Sequence, residues 1–341
     1  MTVVPQPPES SDDVDLDSAV AALEGARRVT ILCHVQPDAD TIGSGLALAI
    51  ALHRKGVQVC VSFDGLGPHN AAAPPPGLPA SMLGFPGLEH LVPAADVPVE
   101  TDLVVTVDCG SAGRVGALRD RFGGARRGVL VLDHHRSNTR FGTVNVVDAQ
   151  AESTAGLITR LLDGWGVPID EDIAHCLFAG LVTDTGSFRW VRTGTHALAE
   201  RLLATGIDGP EIARTLLDTH PFGWLPMLSR VLGSARLVPE TAGGAGLVYA
   251  VVRRDDAAGL RSEEVESVVD IVRTTAEADV AAVFKQAAGV DVWTVSLRAR
   301  GGTDVAAIAT ALGGGGHKSA AGYTAHAPLD EAVTALITTL G

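Results

Sequence analysis

The sequence predicts an α/β protein in two parts, an N-terminal parallel-sheet domain joined by a helical connector to a smaller α/β C-terminal domain. Three observations carry that expectation. At 341 residues the chain exceeds one ordinary domain of about 150 residues. Short apolar runs rich in Val and Leu alternate with helical patterns in the N-terminal half, which is the rhythm of βαβ units. Hydrophobic residues make up 46% of the chain and charged ones 19%, so a sizeable core is available and wholesale disorder is excluded.

Taken in order, residues 1–17 combine Pro, Ser and Asp with few large apolar side chains and read as a loose leader. Residues 18–26 have a short helix pattern that feeds a first strand, Val29-Thr30-Ile31-Leu32-Cys33. A helix over residues 45–55 closes at Gly56, a C-terminal stop, and residues 57–63 give the next strand. Residues 65–93 turn to Gly, Pro and Ala around Pro74-Pro75-Pro76. So long a connection is expected to form either one wall of a substrate pocket or an extended surface crossing. Strands at residues 104–107 and 129–132 flank a helical segment at 113–122, and residues 143–147 add a short strand. An amphipathic helix follows at 153–162, with Leu157, Ile158, Leu161 and Leu162 at helical spacing. The run at 169–182 is apolar enough to be a buried helix, although its pattern does not distinguish helix from strand. Three helical patterns, at 195–203, 209–217 and 224–232, resemble a connector. Strands at 247–252, 280–284 and 292–297 with helices at 263–274 and 304–312 then form the second domain. The division expected is a leader (1–17), a first domain (18–194), a connector (195–235) and a second domain (236–341).

The chemistry lies at the ends of the apolar runs. The first leads into His34-Val35-Gln36-Pro37-Asp38-Ala39-Asp40, the second into Asp108, the third into Asp133-His134-His135, and the segment before Asp184-Thr185-Gly186 ends in the same way. In open α/β sheets ligands bind at the carboxyl ends of strands. Each acid alone could be turn chemistry or a helix cap. Clustered like charges, however, repel unless a cation lies between them, and four such ends can converge on one sheet edge.

Charge and composition narrow the partners. The net charge of -14 repels long polyanions, and binding to long duplexes needs a basic footprint. Small or short phosphorylated ligands remain compatible, because bound cations supply positive charge locally. Aromatics at 4% argue against a base-stacking platform. Four scattered cysteines without a Cys-x-x-Cys pair exclude a structural zinc site and a disulfide scaffold, and fit a reducing cytoplasm. No apolar run reaches the roughly 20 residues of a membrane span. Late in the chain, Gly313-Gly314-Gly315-Gly316-His317-Lys318 follows a helical pattern. Without side chains the backbone N–H groups of such a run can approach an anion closely. Arg298, ending a strand, can pair bidentately with a phosphate.

Taken together, His34-x-x-x-Asp38-x-Asp40, Asp108, Asp133-His134-His135 and Asp184-Thr185-Gly186 resemble the four motifs of the DHH phosphoesterase superfamily, and the glycine run with His317 resembles its DHH-associated C-terminal domain. The resemblance covers nearly the whole chain after the leader. It is strongest to the bacterial oligoribonuclease and phosphoadenosine-phosphate phosphatase group, the nanoRNases, some of which also hydrolyse cyclic dinucleotides. It implies a two-metal phosphoesterase using Mn²⁺, with Mg²⁺ an alternative. By that resemblance His34, Asp38 and Asp108 hold one ion, Asp40, Asp108, His134 and Asp184 the other, and Asp108 bridges. Two ions about 3.5–4 Å apart can clamp both attacking and leaving oxygens of an in-line displacement. Asp133 and His135 take catalytic roles, with Asp133 expected to orient His134. Arg298, Gly314, Gly315, Gly316 and His317 contact substrate phosphate. The implied substrates are short oligoribonucleotides cleaved to 5′-mononucleotides, 3′-phosphoadenosine 5′-phosphate cleaved to AMP, and linear or cyclic dinucleotides such as cyclic di-AMP. A cytoplasmic homodimer is also implied. The sequence departs from the family pattern at Ala299, where a serine is expected after the arginine. The competing readings are a nucleotide-binding regulator without turnover and a manganese pyrophosphatase.

Overall fold

The computed structural model describes residues 15–69 and 74–341. Most of the expected leader, residues 1–14, and the centre of the Gly/Pro-rich connection, residues 70–73, lie outside the described residues. The chain divides into two compact units, Met1–Thr219 and His220–Gly341.

The first unit is built on a five-stranded, all-parallel sheet in the order β2-β1-β3-β4-β5. Its strands are β1 (Arg28–Leu32), β2 (Gln58–Ser62), β3 (Leu103–Val107), β4 (Val129–Asp133) and β5 (Val144–Val147). Every residue of β3 and β4 is buried, because a parallel sheet is covered on both faces and its central strands read as continuous apolar runs. One face carries helices α1 (Leu16–Glu24), α2 (Ala39–Arg54), α3 (Thr154–Gly164) and α4 (Glu171–Asp184) around the main core. The other carries a smaller core in which Val115 and Leu118 pack on Leu32, Val104, Val129 and Val131.

The ambiguous run at 169–182 is helix α4, started by the Asp170 side chain, which accepts from the Ile173 N–H at 3.2 Å. Burial all round erased its amphipathic signature. Helices α2 and α4 meet through glycines: a Cβ on Gly43 would lie 2.3 Å from the Cys176 carbonyl oxygen, and one on Gly180 2.4 Å from Asp40 Oδ1. The helix expected at 113–122 is instead a 3₁₀ segment, Ala112–Gly124, broken at Gly116 (φ 64°, ψ -142°). There a Cβ would lie 2.2 Å from Asp64 Oδ2, whose carboxylate accepts the Ala117 N–H at 2.8 Å. The described part of the Gly/Pro-rich connection sends Leu66, Leu78, Met82, Phe85 and Leu91 into the main core.

Helices link the two units. The stretch expected as a separate connector is shared between them: α5 (Thr195–Leu203) and α6 (Gly209–Leu217) bury Ala199, Leu202 and Ile212 in the first core, whereas α7 (Trp224–Gly233) buries Met227, Leu228 and Val231 in the second unit.

The second unit is a mixed sheet, β10-β11-β9-β8-β7-β6. Its elements in chain order are β6 (Arg236–Val238), β7 (Leu247–Val252), α8 (Ser262–Glu266), α9 (Val268–Val272), β8 (Val280–Gln286), β9 (Val292–Ala299), α10 (Val305–Ala311), β10 (Gly315–His317), β11 (Ala320–His326) and α11 (Leu329–Leu340). Only β7 and β8 pair in parallel. The single helix expected at 263–274 is two short ones parted at Ser267. The glycine run, expected as an open cradle, ends in the edge strand β10 paired with β11.

Candidate metal centre

A parallel sheet in the order 2-1-3-4-5 has its topological switch between β1 and β3, where chain connections leave in opposite directions and open a crevice at the carboxyl ends. His34 follows β1 by two residues, Asp108 follows β3 directly, and Asp133 is the last residue of β4. Asp38 caps α2, its Oδ1 accepting the N–H groups of Asp40 and Thr41 at 3.1 Å each. Asp40 lies in the first turn of that helix and Asp184 is the last residue of α4.

These side chains converge. His34 Nε2 lies 3.4 Å from Asp38 Oδ2 and 3.3 Å from Asp108 Oδ2. His134 Nε2 lies 3.5 Å from Asp108 Oδ1 and 3.1 Å from Asp184 Oδ2. Asp108 therefore turns one oxygen to each imidazole. The ligand atoms of His34, Asp38 and Asp108 lie within 4.8 Å of one another, as do those of Asp40, Asp108 and His134. His34, Asp108 and His134 are buried, and Asp38, with 55% of its side chain exposed, marks the mouth. Asp108 is held at φ 59°, a left-handed conformation that costs a non-glycine residue energy and concentrates at functional sites.

The electrostatics express a demand for cations. Burial alone would drive imidazoles neutral, yet Asp38 and Asp108 overcome it and push His34 up to about 10. His134 is likewise held well above the ordinary histidine range despite burial, by Asp184, Asp108 and Asp40. Burial, joined by Asp184 and Asp108, raises Asp40 well above the usual carboxylate range. Burial opposes ionisation of Asp108, but the hydrogen bond from His34 and the charges of the surrounding imidazoles hold it below that range. The donors are carboxylate oxygens and imidazole nitrogens without thiolate, a set suited to Mn²⁺ or Mg²⁺. The nearby thiols are spectators: burial pushes Cys33 up to about 12, and its Sγ donates to the Thr41 carbonyl at 3.3 Å. His34 Nδ1 donates to the Val35 carbonyl at 2.9 Å, which directs Nε2 into the cluster.

The supporting residues were not legible in the sequence. Both oxygens of Asp40 are taken by the start of α3, Oδ2 accepting the Thr154 N–H at 2.7 Å and Oδ1 the Ala155 N–H at 2.8 Å. The Thr154 hydroxyl donates to Asp108 Oδ1 at 2.9 Å, and Thr41 Oγ1 donates to the Val107 carbonyl at 3.0 Å. Asn138 donates from Nδ2 to both Asp133 Oδ2, at 2.5 Å, and the Cys109 carbonyl, at 3.1 Å. One expectation is corrected: Asp133 holds His135, at 2.7 Å between Oδ1 and Nδ1, rather than His134. In extended chain, residues two apart share a side and adjacent ones oppose.

In the second unit, register pairs His317 with Ala320 and Ala320 with Arg298. Cross-strand partners share a face, so His317 and Arg298 share one face about 10 Å apart. Gly314 and Gly316 admit close packing, since a Cβ would lie 2.1 Å from the Gly322 carbonyl oxygen and 2.5 Å from Ala321 Cα respectively, whereas Gly315 has nothing within 4 Å of that position.

Comparison with known proteins agrees with this geometry. Residues 28–181 match the DHH family, N-terminal domain, and residues 244–341 match the DHHA1 domain. A bifunctional oligoribonuclease and PAP phosphatase NrnA of Thermus thermophilus is 34% identical over 309 residues, which cover 89% of this chain and 85% of that protein. A cyclic-di-AMP phosphodiesterase GdpP of Geobacillus thermodenitrificans is 28% identical over 201 residues, 55% of this chain and 28% of that one. The crystal structure of an exopolyphosphatase-related protein from Bacteroides fragilis superimposes with a TM-score of 0.82 at 23% identity, covering 95% of each chain, and so shares the fold. The chain belongs to the DHH family, with a DHHA1 domain, and is a metal-dependent phosphoesterase.

Proposed function

We propose that the protein uses two Mn²⁺ ions to hydrolyse short oligoribonucleotides to 5′-mononucleotides and 3′-phosphoadenosine 5′-phosphate to AMP, and that linear and cyclic dinucleotides are further substrates. The observation that carries this reading is Asp108, whose two oxygens face two separate imidazole–carboxylate groups. In it His34, Asp38 and Asp108 hold one cation, and Asp40, Asp108, His134 and Asp184 the other. When bound, the cations supply charge neutralisation at the phosphoryl group and a nucleophile from water at neutral pH.

The remaining work falls to the chain. His135, which Asp133 and Asp108 hold above the ordinary histidine range against the effect of burial, offers a ring N–H to a phosphoryl oxygen. Arg298, the N–H groups at Gly314, Gly315 and Gly316, and His317 offer donors to nucleotide phosphates. The acidic chain, with a net charge of -14, disfavours long nucleic acid and leaves short substrates, whose charge the cations offset locally. The unpaired cysteines fit a cytoplasmic setting, and among the described residues no helix is long and apolar enough to cross a membrane. A homodimer is the assembly proposed.

The test is turnover by the Mn²⁺-loaded protein of a dinucleotide, a pentanucleotide, cyclic di-AMP, phosphoadenosine phosphate and pyrophosphate, with products separated by chromatography. Mononucleotides from the short RNAs and AMP from phosphoadenosine phosphate are expected, with loss of both on chelation. Binding without product would make the protein a regulator, and phosphate from pyrophosphate alone a pyrophosphatase.

A further inference from the structure

We propose that Arg114 is a substrate-binding residue that clamps the scissile phosphate at the His34 side of the metal centre. This rests on the reading of the site as a phosphoesterase centre and adds a residue that no motif indicates.

Arg114 is the sixth residue after Asp108 and lies in the first turn of the irregular segment Ala112–Gly124. Its backbone is fixed on both sides. The Arg114 N–H donates to the Ser111 carbonyl at 3.0 Å, and its carbonyl accepts the Val35 N–H at 2.8 Å, tying it to the loop that carries His34. Two residues on, the break at Gly116 is held by close packing: a Cβ there would lie 2.2 Å from Asp64 Oδ2 and 2.8 Å from Val35 Cγ1. The side chain thus leaves a rigid mount, and it is exposed to incoming ligand.

The guanidinium is the unusual part. One terminal nitrogen lies 3.2 Å from His34 Nδ1, a ring nitrogen that also faces the Val35 carbonyl at 2.9 Å. A guanidinium carries five donors in a fixed fork, and this contact engages one of its terminal nitrogens. Among the described residues Arg114 forms no ion pair with a carboxylate, although Asp38 and Asp108 stand at the opposite ring nitrogen of His34. A fixed positive charge one imidazole width from cation ligands adds repulsion once cations bind. An anion between them removes it. The tetrahedral phosphoryl group is such an anion, and the planar fork of arginine matches two of its oxygens.

The test compares wild type with Arg114→Gln and Arg114→Lys in the full chain. Each protein is loaded with Mn²⁺, its metal content and melting temperature are measured, and calorimetry follows the binding of inorganic phosphate. The glutamine variant is expected to keep wild-type metal content and melting temperature while phosphate affinity falls tenfold to a hundredfold. Its kcat/KM should fall at least as far on both a dinucleotide and phosphoadenosine phosphate. The lysine variant should recover only part of each loss, since it keeps charge without the fork. Loss of metal in the glutamine variant would instead make Arg114 a support for His34, and unchanged phosphate affinity would also overturn the proposal. Should wild type turn over none of the nucleotides while the glutamine variant still weakens phosphate binding, the substrate reading fails and the arginine assignment stands.

Discussion

Asp108 is a strained residue whose two oxygens serve two clusters, and a hydroxyl from a distant part of the chain helps to hold the way they face. The Thr154 side chain reaches Asp108 Oδ1 from 46 positions along the chain, and its backbone N–H holds Asp40 at the same time. Thr154→Val keeps the shape and the backbone contact but removes the hydroxyl. Mn²⁺ affinity should fall about tenfold to a hundredfold, the usual cost of losing a partner that orients a ligand, while Thr154→Ser stays near wild type. A metal titration on both variants checks this, and equal affinities would assign Thr154 to helix packing alone.

At the scale of elements, the crossing of α2 and α4 sets the depth of Asp40. Gly180 has no side chain because Asp40 Oδ1 and the Ala155 Cβ occupy its space, at 2.4 and 2.9 Å from where a Cβ would sit. Gly180→Ala should destabilise the protein by about 1–3 kcal/mol in denaturant titrations, as overpacking does, and weaken metal binding through the displaced carboxylate. Gly164→Ala, at the other end of α3 with nothing within 4 Å, should be neutral or stabilise by up to about 1 kcal/mol.

These elements mark the boundary of what the sequence discloses. Apolar runs ending in Asp or His name the ligands, because the strand ends of one sheet converge by topology. The clamp on Asp40 spans 114 positions and depends on how helices cross, which local pattern does not encode. Arg114 was missed because residues 113–122 read as a helix joining two strands, whereas the segment is a 3₁₀ run broken at Gly116, and the partner of Asp133 because alternation along extended chain outweighed adjacency.

For the whole molecule, the two units carry separate cores, and every residue of the two overlapping ligand groups belongs to Met1–Thr219. With metal chelated, the proton balance of the site becomes a stability term of that unit. His34, raised in the folded state from 6.5 to about 10, contributes stability that is complete below pH 6.5 and is lost as pH rises through about 10. His134 and His135, also raised, act in the same sense. Asp108, lowered, contributes stability present above the ordinary carboxylate range and lost in acid. The chelated first unit should therefore be most stable in mildly acidic buffer and weaken toward pH 10. Heat would then reveal two melting steps, and added Mn²⁺ would lift the step of the first unit alone and leave its neighbour in place. A cell short of the metal would thus hold a molecule whose first unit is weakened, so that proteases would find their first cut among the strands that carry the acids.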